Sequence, residues 1–232
     1  MRLPSRGVWG TAICAAAMVL ATAGQASAAN WSARGNEPGW HVAVSDESIV
    51  FTTMDGAPVT IAPVPEATRA NDVAVYSATA DGKPFVLVAV DKICGDTMSG
   101  MPFPKTVAVA VGDASYIGCG GEPVSLLLGD RKVEQIEGQP VIAGSQASIA
   151  FELDGGIHGN SSCNRFFGSY TLTGEGLTIS NVGGTMMACD EGMMQQEQRF
   201  LAALEMVRRF ESTGDGQLRL VDDNGRAVVT AR

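Results

Sequence analysis

The stretch "GIHGNSSCNRFFGSYTLTGEGLTISNVGGTMMACDE", Gly156 to Glu191, decides how the second half of the chain is read. Within it "FGSYTLT" and "LTIS" alternate with a period of two, and glycines sit between them, as in antiparallel strands joined by turns. After it the period changes. From Asp190 to Phe210 there is no proline, and Phe200, Leu204 and Val207 fall at i, i+4 and i+7 with Ala203 beside them. That spacing predicts one amphipathic helix. Asp190 suits its N-cap, Glu191 its first turn, and Arg208 and Arg209 its negative end.

Working outward, Ile149, Phe151 and Leu153 alternate with smaller or polar residues, and "QLRLVD" and "RAVVTA" make a closing hairpin through Asp223-Asn224-Gly225. From Trp40 to Gly120 the chain is a series of short alternating runs with no convincing helix. Asp55-Gly56 and Asp81-Gly82 read as tight hairpin turns, and "FVLVAV" (Phe85 to Val90), apolar on both faces, reads as a strand covered on both sides. "GGEPVS", Gly120 to Ser125, breaks the pattern and marks the boundary between the two halves. The expected fold is mainly β (α+β). An N-terminal antiparallel sandwich or barrel is followed by a curved, partly open antiparallel sheet with one packed helix.

Residues 1–28 have the charged, apolar and small-residue order of a secretory signal peptide: Arg2 and Arg6, then "AICAAAMVLATAG", then an A-x-A site at Ala26 and Ala28. The apolar stretch is too short for a transmembrane anchor. Cleavage near Ala28 would release the mature chain into an oxidising space, the periplasm in a bacterium. It would also remove two positive charges and take the net charge from −9 to −11. Such a balance excludes nucleic acid as a natural partner and favours, if anything, a basic protein.

Four cysteines remain: Cys94, Cys119, Cys163 and Cys189. Four allow three pairings. The boundary lies between the second and third, so Cys94 with Cys119 and Cys163 with Cys189 keep each bond inside one folding unit. A nucleophilic Cys163 would need a base, and His158, amid small polar residues, reads as an exposed turn histidine. Zinc would need C-x-x-C or H-x-x-x-H spacing, which is absent. His41 lies in an alternating strand and reads as a surface residue. The sequence therefore offers no catalytic residue, no metal site and no cofactor motif.

On Gly159, Cys163-Asn164-Arg165-Phe166, Gly168-Ser169-Tyr170, Leu177-Thr178, Thr185-Met186, Ala188-Cys189 and the following "FLAALEMV", residues 124–232 resemble the META domain (HslJ-like) family. The family commonly has glycine where Ser162 stands and a tryptophan near Val133. The resemblance implies a small antiparallel sheet or open barrel with one helix, and no enzymatic activity. Residues 29–121 resemble an uncharacterised bacterial envelope module, on "GNEPGW" (35–40), "CGDTMSG" (94–100), Phe103-Pro104 and "GCGG" (118–121).

These readings lead to a non-catalytic envelope accessory protein, a binding or stability module linked to stress tolerance, whose partner is an unidentified envelope protein or ligand. Two alternatives stand beside it. "MSGMPFP" resembles the Ser-Gly-x-x-Tyr loop of periplasmic lysozyme inhibitors, with Phe103 in the tyrosine's place, and an acidic chain would attract a basic lysozyme-like enzyme. A β-barrel mouth could also carry a small apolar ligand.

Overall fold

The computed structural model describes residues 30–232, so the signal peptide lies outside the described residues. The first half forms β1 (Trp31–Asn36), β2 (Gly39–Val44), β3 (Ile49–Thr53), β4 (Val59–Ile61), β5 (Thr68–Ala70), β6 (Val73–Ala80), β7 (Lys83–Val90), β8 (Cys94–Gly95), β9 (Pro102–Phe103), β10 (Lys105–Val111) and β11 (Ala114–Gly120). A short 3₁₀ turn at Pro123–Leu126 leads into the second half. There follow β12 (Gly129–Ile136), β13 (Gln139–Pro140), β14 (Ser148–Phe151), β15 (Gly156–Asn160), β16 (Arg165–Thr173), β17 (Gly176–Gly184), α1 (Glu191–Glu205), β18 (Arg209–Ser212), β19 (Leu218–Val221) and β20 (Ala227–Ala231).

The first sheet is antiparallel in the order β4-β3-β2-β1-β11-β10-β7-β6-β5, and it curls until β4 lies beside β6. Period-two alternation sends Val42, Val44, Phe51, Phe85, Leu87 and Val109 into the enclosed space, where they are buried. Phe51 lies 5.0 Å from Tyr116 and 5.9 Å from Trp40 between ring centroids, and the Trp40 indole donates to the Ile117 carbonyl. Two turns show how far dipeptides can be trusted. At Asp81-Gly82 both residues have positive φ (49° and 74°) and Ala80 pairs directly with Lys83, so the hairpin is tight. Asp55-Gly56 makes no such turn: neither residue has positive φ, and the last register pair is Phe51 with Val59.

The "FVLVAV" strand is a further correction. Phe85, Leu87 and Ala89 are buried, but Val86, Val88 and Val90 are only half-buried on the outer face. Cross-strand neighbours, Val75 and Ala108 on either side of Val88, shield one another there, with no second layer above them among the described residues.

The second sheet runs β17-β16-β15-β14-β12-β20-β19-β18, with β13 added at β12. It also curls back on itself: the Leu177 amide donates to the Arg208 carbonyl just before β18, at 2.8 Å. Helix α1 plugs the opening with Phe200, Ala203 and Leu204, all fully buried, and Phe200 meets Phe166 edge-on at 5.5 Å. Asp190 caps it by accepting from the Met193 amide. The helix ends at Glu205, five residues before the Phe210 that its periodicity suggested. Met206 and Val207 close tighter turns onto Ala203 and Leu204, and the Arg208 amide donates to Val221 of the sheet. Competition from the sheet, not a breaker residue, stops it. Arg208 still caps this end, donating to the carbonyls of Glu205 and Val207, while Arg209 belongs to β18.

Each half has a buried cluster of its own, and a hairpin of the first half reaches into the second. Met101 and Phe103, from the β8–β9 hairpin, are buried in the same cluster as Leu127, Tyr170 and Phe210 of the second sheet. Phe200→Ala should lower the unfolding free energy in urea by about 3–5 kcal/mol, because no neighbour can fill the space inside the curled sheet. A fragment of residues 124–232 is expected to melt cooperatively but below the intact chain, since it loses Met101 and Phe103 from its core; a melt at the full-chain temperature would contradict that packing.

Candidate functional site

The Cys-Asn-Arg-Phe motif sits where β15 turns into β16, and the structure makes it a joint. Cys163 is bonded to Cys189 across 26 positions, with Cα atoms 6.0 Å apart, and Cys94 to Cys119 across 25, at 5.4 Å. Paired sulfurs titrate no proton and offer no thiolate. Two such bonds belong to a non-cytoplasmic, oxidising compartment. No helix among the described residues is long and apolar enough to cross a membrane.

Asn164 is the hub beside the bond. Its side-chain oxygen accepts from the Thr185 hydroxyl (2.8 Å) and the Met187 amide (2.7 Å), and its nitrogen donates to the Met187 carbonyl and to Glu197. Glu197, on α1, accepts in addition from the Ser161 hydroxyl (2.6 Å) and the Asn164 amide (2.9 Å). The preceding helix residue, Gln196, fully buried, accepts from the Ile142 amide and donates to the hydroxyls of Ser145 and Ser162. These two helix residues were not legible as site residues, because their partners lie 33 or more positions away. Ser162 holds φ +104°, a conformation that favours glycine. Its hydroxyl accepts from Gln196 at 2.7 Å, a bond that glycine could not make and that offsets the strain.

His158 is exposed on β15, not in a turn, and pairs with Glu152 at 3.1 Å. His41 is exposed on β2. Phe103 does not project as a recognition aromatic: it is only 7 % exposed and packed in the shared core. Among the described residues no group of three or more histidine, cysteine, aspartate or glutamate side chains is placed to hold a metal.

The "CGDTMSG" loop is organised by Asp96. One carboxylate oxygen accepts from the amides of Met98 and Ser99 and the Ser99 hydroxyl, and the other from Asn36 at 3.3 Å. Burial opposes its ionisation, but the hydrogen bonds from Ser99, Asn36 and Met98 outweigh this and hold the carboxyl below its ordinary range. Asp96 also faces Arg34, whose Nε lies 3.8 Å away and whose guanidinium sits 5.2 Å over the Phe103 ring.

Beyond this loop a cleft of about 660 Å³ opens between the outer face of β1 and β2 and the hairpin ends of the second sheet. Arg34 and His41 stand on one wall, Leu153 and Leu172 on the other, and Phe103 and Tyr170 line its depth. The Tyr170 hydroxyl donates to the Glu152 carbonyl at 2.7 Å, and burial, followed by the charges of Asp154 and Glu152, raises its pKa.

Cys163→Ser and Cys189→Ser should each lose about 3 kcal/mol in urea titrations, and the double variant little more, because either change opens the same loop. His158→Ala should stay within about 0.5 kcal/mol of the parent. Gln196→Ala should cost about 2 kcal/mol by leaving the Ile142 amide without its acceptor. A lowered pKa in the folded chain means that Asp96 contributes stability above the unfolded carboxyl pKa of about 3.9, and that this is lost as pH falls through the folded value. Asp96→Asn is therefore expected to melt earlier at pH 7 and to show a flatter decline in Tm below pH 4 than the parent.

Among curated proteins, none matches this chain. A protein from Burkholderia xenovorans, solved by NMR, is 29% identical over 46% of this chain and 83% of its own, with a TM-score of 0.38. A second NMR structure is 24% identical over 48% of this chain and 94% of its own, with a TM-score of 0.39. Residues 126–232, which comprise the second sheet and its helix, match the model of the META domain family.

Proposed function

We propose that this chain is a non-catalytic accessory protein of the bacterial envelope, exported through residues 1–28 to the periplasm, where it supports stress tolerance by binding an envelope protein or ligand. The observation that carries this reading is the disulfide in each half, one of them built into the signature of a META domain. A bond beside the Asn164 hub locks the joint between sheet and helix, a use of cysteine that serves endurance in an oxidising space and leaves no thiol for chemistry. The polar clusters around Asn164 and Asp96 agree with it, since their hydrogen bonds run within the protein and hold main-chain turns in place.

The test is a deletion strain exposed to envelope stress and complemented with variants, alongside osmotic-shock fractionation. The intact chain should appear in the shock fluid beginning at Ala29 with no free thiol. Its His41→Ala and His158→Ala variants should restore tolerance, and Cys163→Ser should do so only in proportion to the amount folded. A cytoplasmic, reduced chain would overturn the location; a well-folded His158→Ala variant without function would overturn the absence of catalysis.

A further inference from the structure

Arg34 is held but not used. Its guanidinium is stacked over Phe103 at 5.2 Å and lies 3.8 Å from Asp96, yet among the described residues it makes no side-chain hydrogen bond. Asp96 faces its Nε through Oδ2 at 3.8 Å, beyond hydrogen-bond distance, while the other carboxylate oxygen is turned to Met98 and Ser99. The side chain remains 48 % exposed toward the cleft. His41 is its direct cross-strand neighbour, and its ring likewise makes no hydrogen bond among the described residues. Two adjacent donors, one with an oriented planar fork, are a preformed seat for a carboxylate or phosphate. Arg34 thus turns a cation toward the cleft in a chain of net charge −9.

The opposite wall is mixed, with Leu153 and Leu172 among Asp154, Thr171 and Thr173. Leu153 stands at the tip of the β14–β15 turn and is 76 % exposed, which leaves its side chain open to a molecule in the cleft. Leu172 also lines the cleft, half-buried and packed against the second-half core. Asp154, at the same turn, spends one oxygen on the Gly156 amide and would keep an anionic group away from this wall. The backbone of β1, β2 and β11 is already paired on both sides within the sheet. A peptide main chain therefore finds no ladder there, and recognition must come from side chains alone. A volume of about 660 Å³ falls within the roughly 300–1,000 Å³ typical of small-molecule sites.

We propose that this cleft binds a single-chain anionic amphiphile, with its acidic head on Arg34 and His41 and its apolar body against Leu153 and Leu172. The site goes beyond the accessory reading and does not depend on the compartment or on stress tolerance. The test is calorimetric titration of the purified, oxidised chain with dodecyl phosphate below its micelle threshold, with inorganic phosphate, and with phosphatidylglycerol vesicles.

Dodecyl phosphate should bind saturably with one site per chain, and inorganic phosphate far more weakly. Arg34→Gln should weaken binding by about 10- to 100-fold, the worth of a charge-assisted hydrogen-bond pair. Arg34→Lys should recover part of that loss, because it keeps the charge without the fork. Leu153→Ser, at an exposed turn where folding is not at risk, should weaken the amphiphile several-fold and leave phosphate binding unchanged. Thermal melts without ligand should match the parent for the Leu153 variant, so the proposal remains testable if Arg34→Gln disturbs the loop. Equal affinity for phosphate and dodecyl phosphate, unaltered binding in either variant, or binding to vesicles alone would each overturn it.

Discussion

The second half depends on the junction between Asn164 and Glu197. A carboxylate on the helix and an amide in the turn before β16 accept from the Ser161 and Thr185 hydroxyls and the Asn164 and Met187 amides, and so join the break between β15 and β16 to the segment after β17. Because buried polar groups are costly when unpaired, the helix can dock in one register only, the one that brings Glu197 to Ser161 and Gln196 to Ser162. The disulfide to Cys189 then ties down the segment that leads into the helix cap. With the helix so placed, Phe200, Ala203 and Leu204 close the curled sheet.

The first half is joined to this core by one hairpin. Asp96 folds the "CGDTMSG" loop tightly enough to present Met101 and Phe103 to the second sheet, and the Cys94–Cys119 bond ties the base of that loop to β11. The same arrangement creates the cleft. Phe103 faces the shared core and also carries Arg34 on its ring, so the residue that binds the halves together orients the cation between them. An oriented cation costs a ligand less ordering than a free one.

The strands, their alternation, the Asp81-Gly82 turn, the helix and its Asp190 cap were readable from residue order, because each is set by interactions within a few positions. The Asp55-Gly56 turn, the end of the helix and the outer face of "FVLVAV" were misread for one shared reason. Each depends on what a distant strand does: β4 pairing too early for a tight turn, β19 capturing Arg208, and no layer among the described residues covering Val88.

What the sequence by itself determined is local: which segments become strand or helix, where turns tolerate positive φ, and that four cysteines suit an oxidising compartment. The tertiary structure alone decided that Glu197 and Gln196 complete the Cys-Asn-Arg-Phe joint, that Phe103 is a core residue, and that Arg34 and His41 face Leu153 from more than 100 positions away. Period and propensity act over a turn or a strand. Burial and hydrogen-bond satisfaction are settled only when the whole chain has closed, and it is they that assign a side chain to core, joint or cleft.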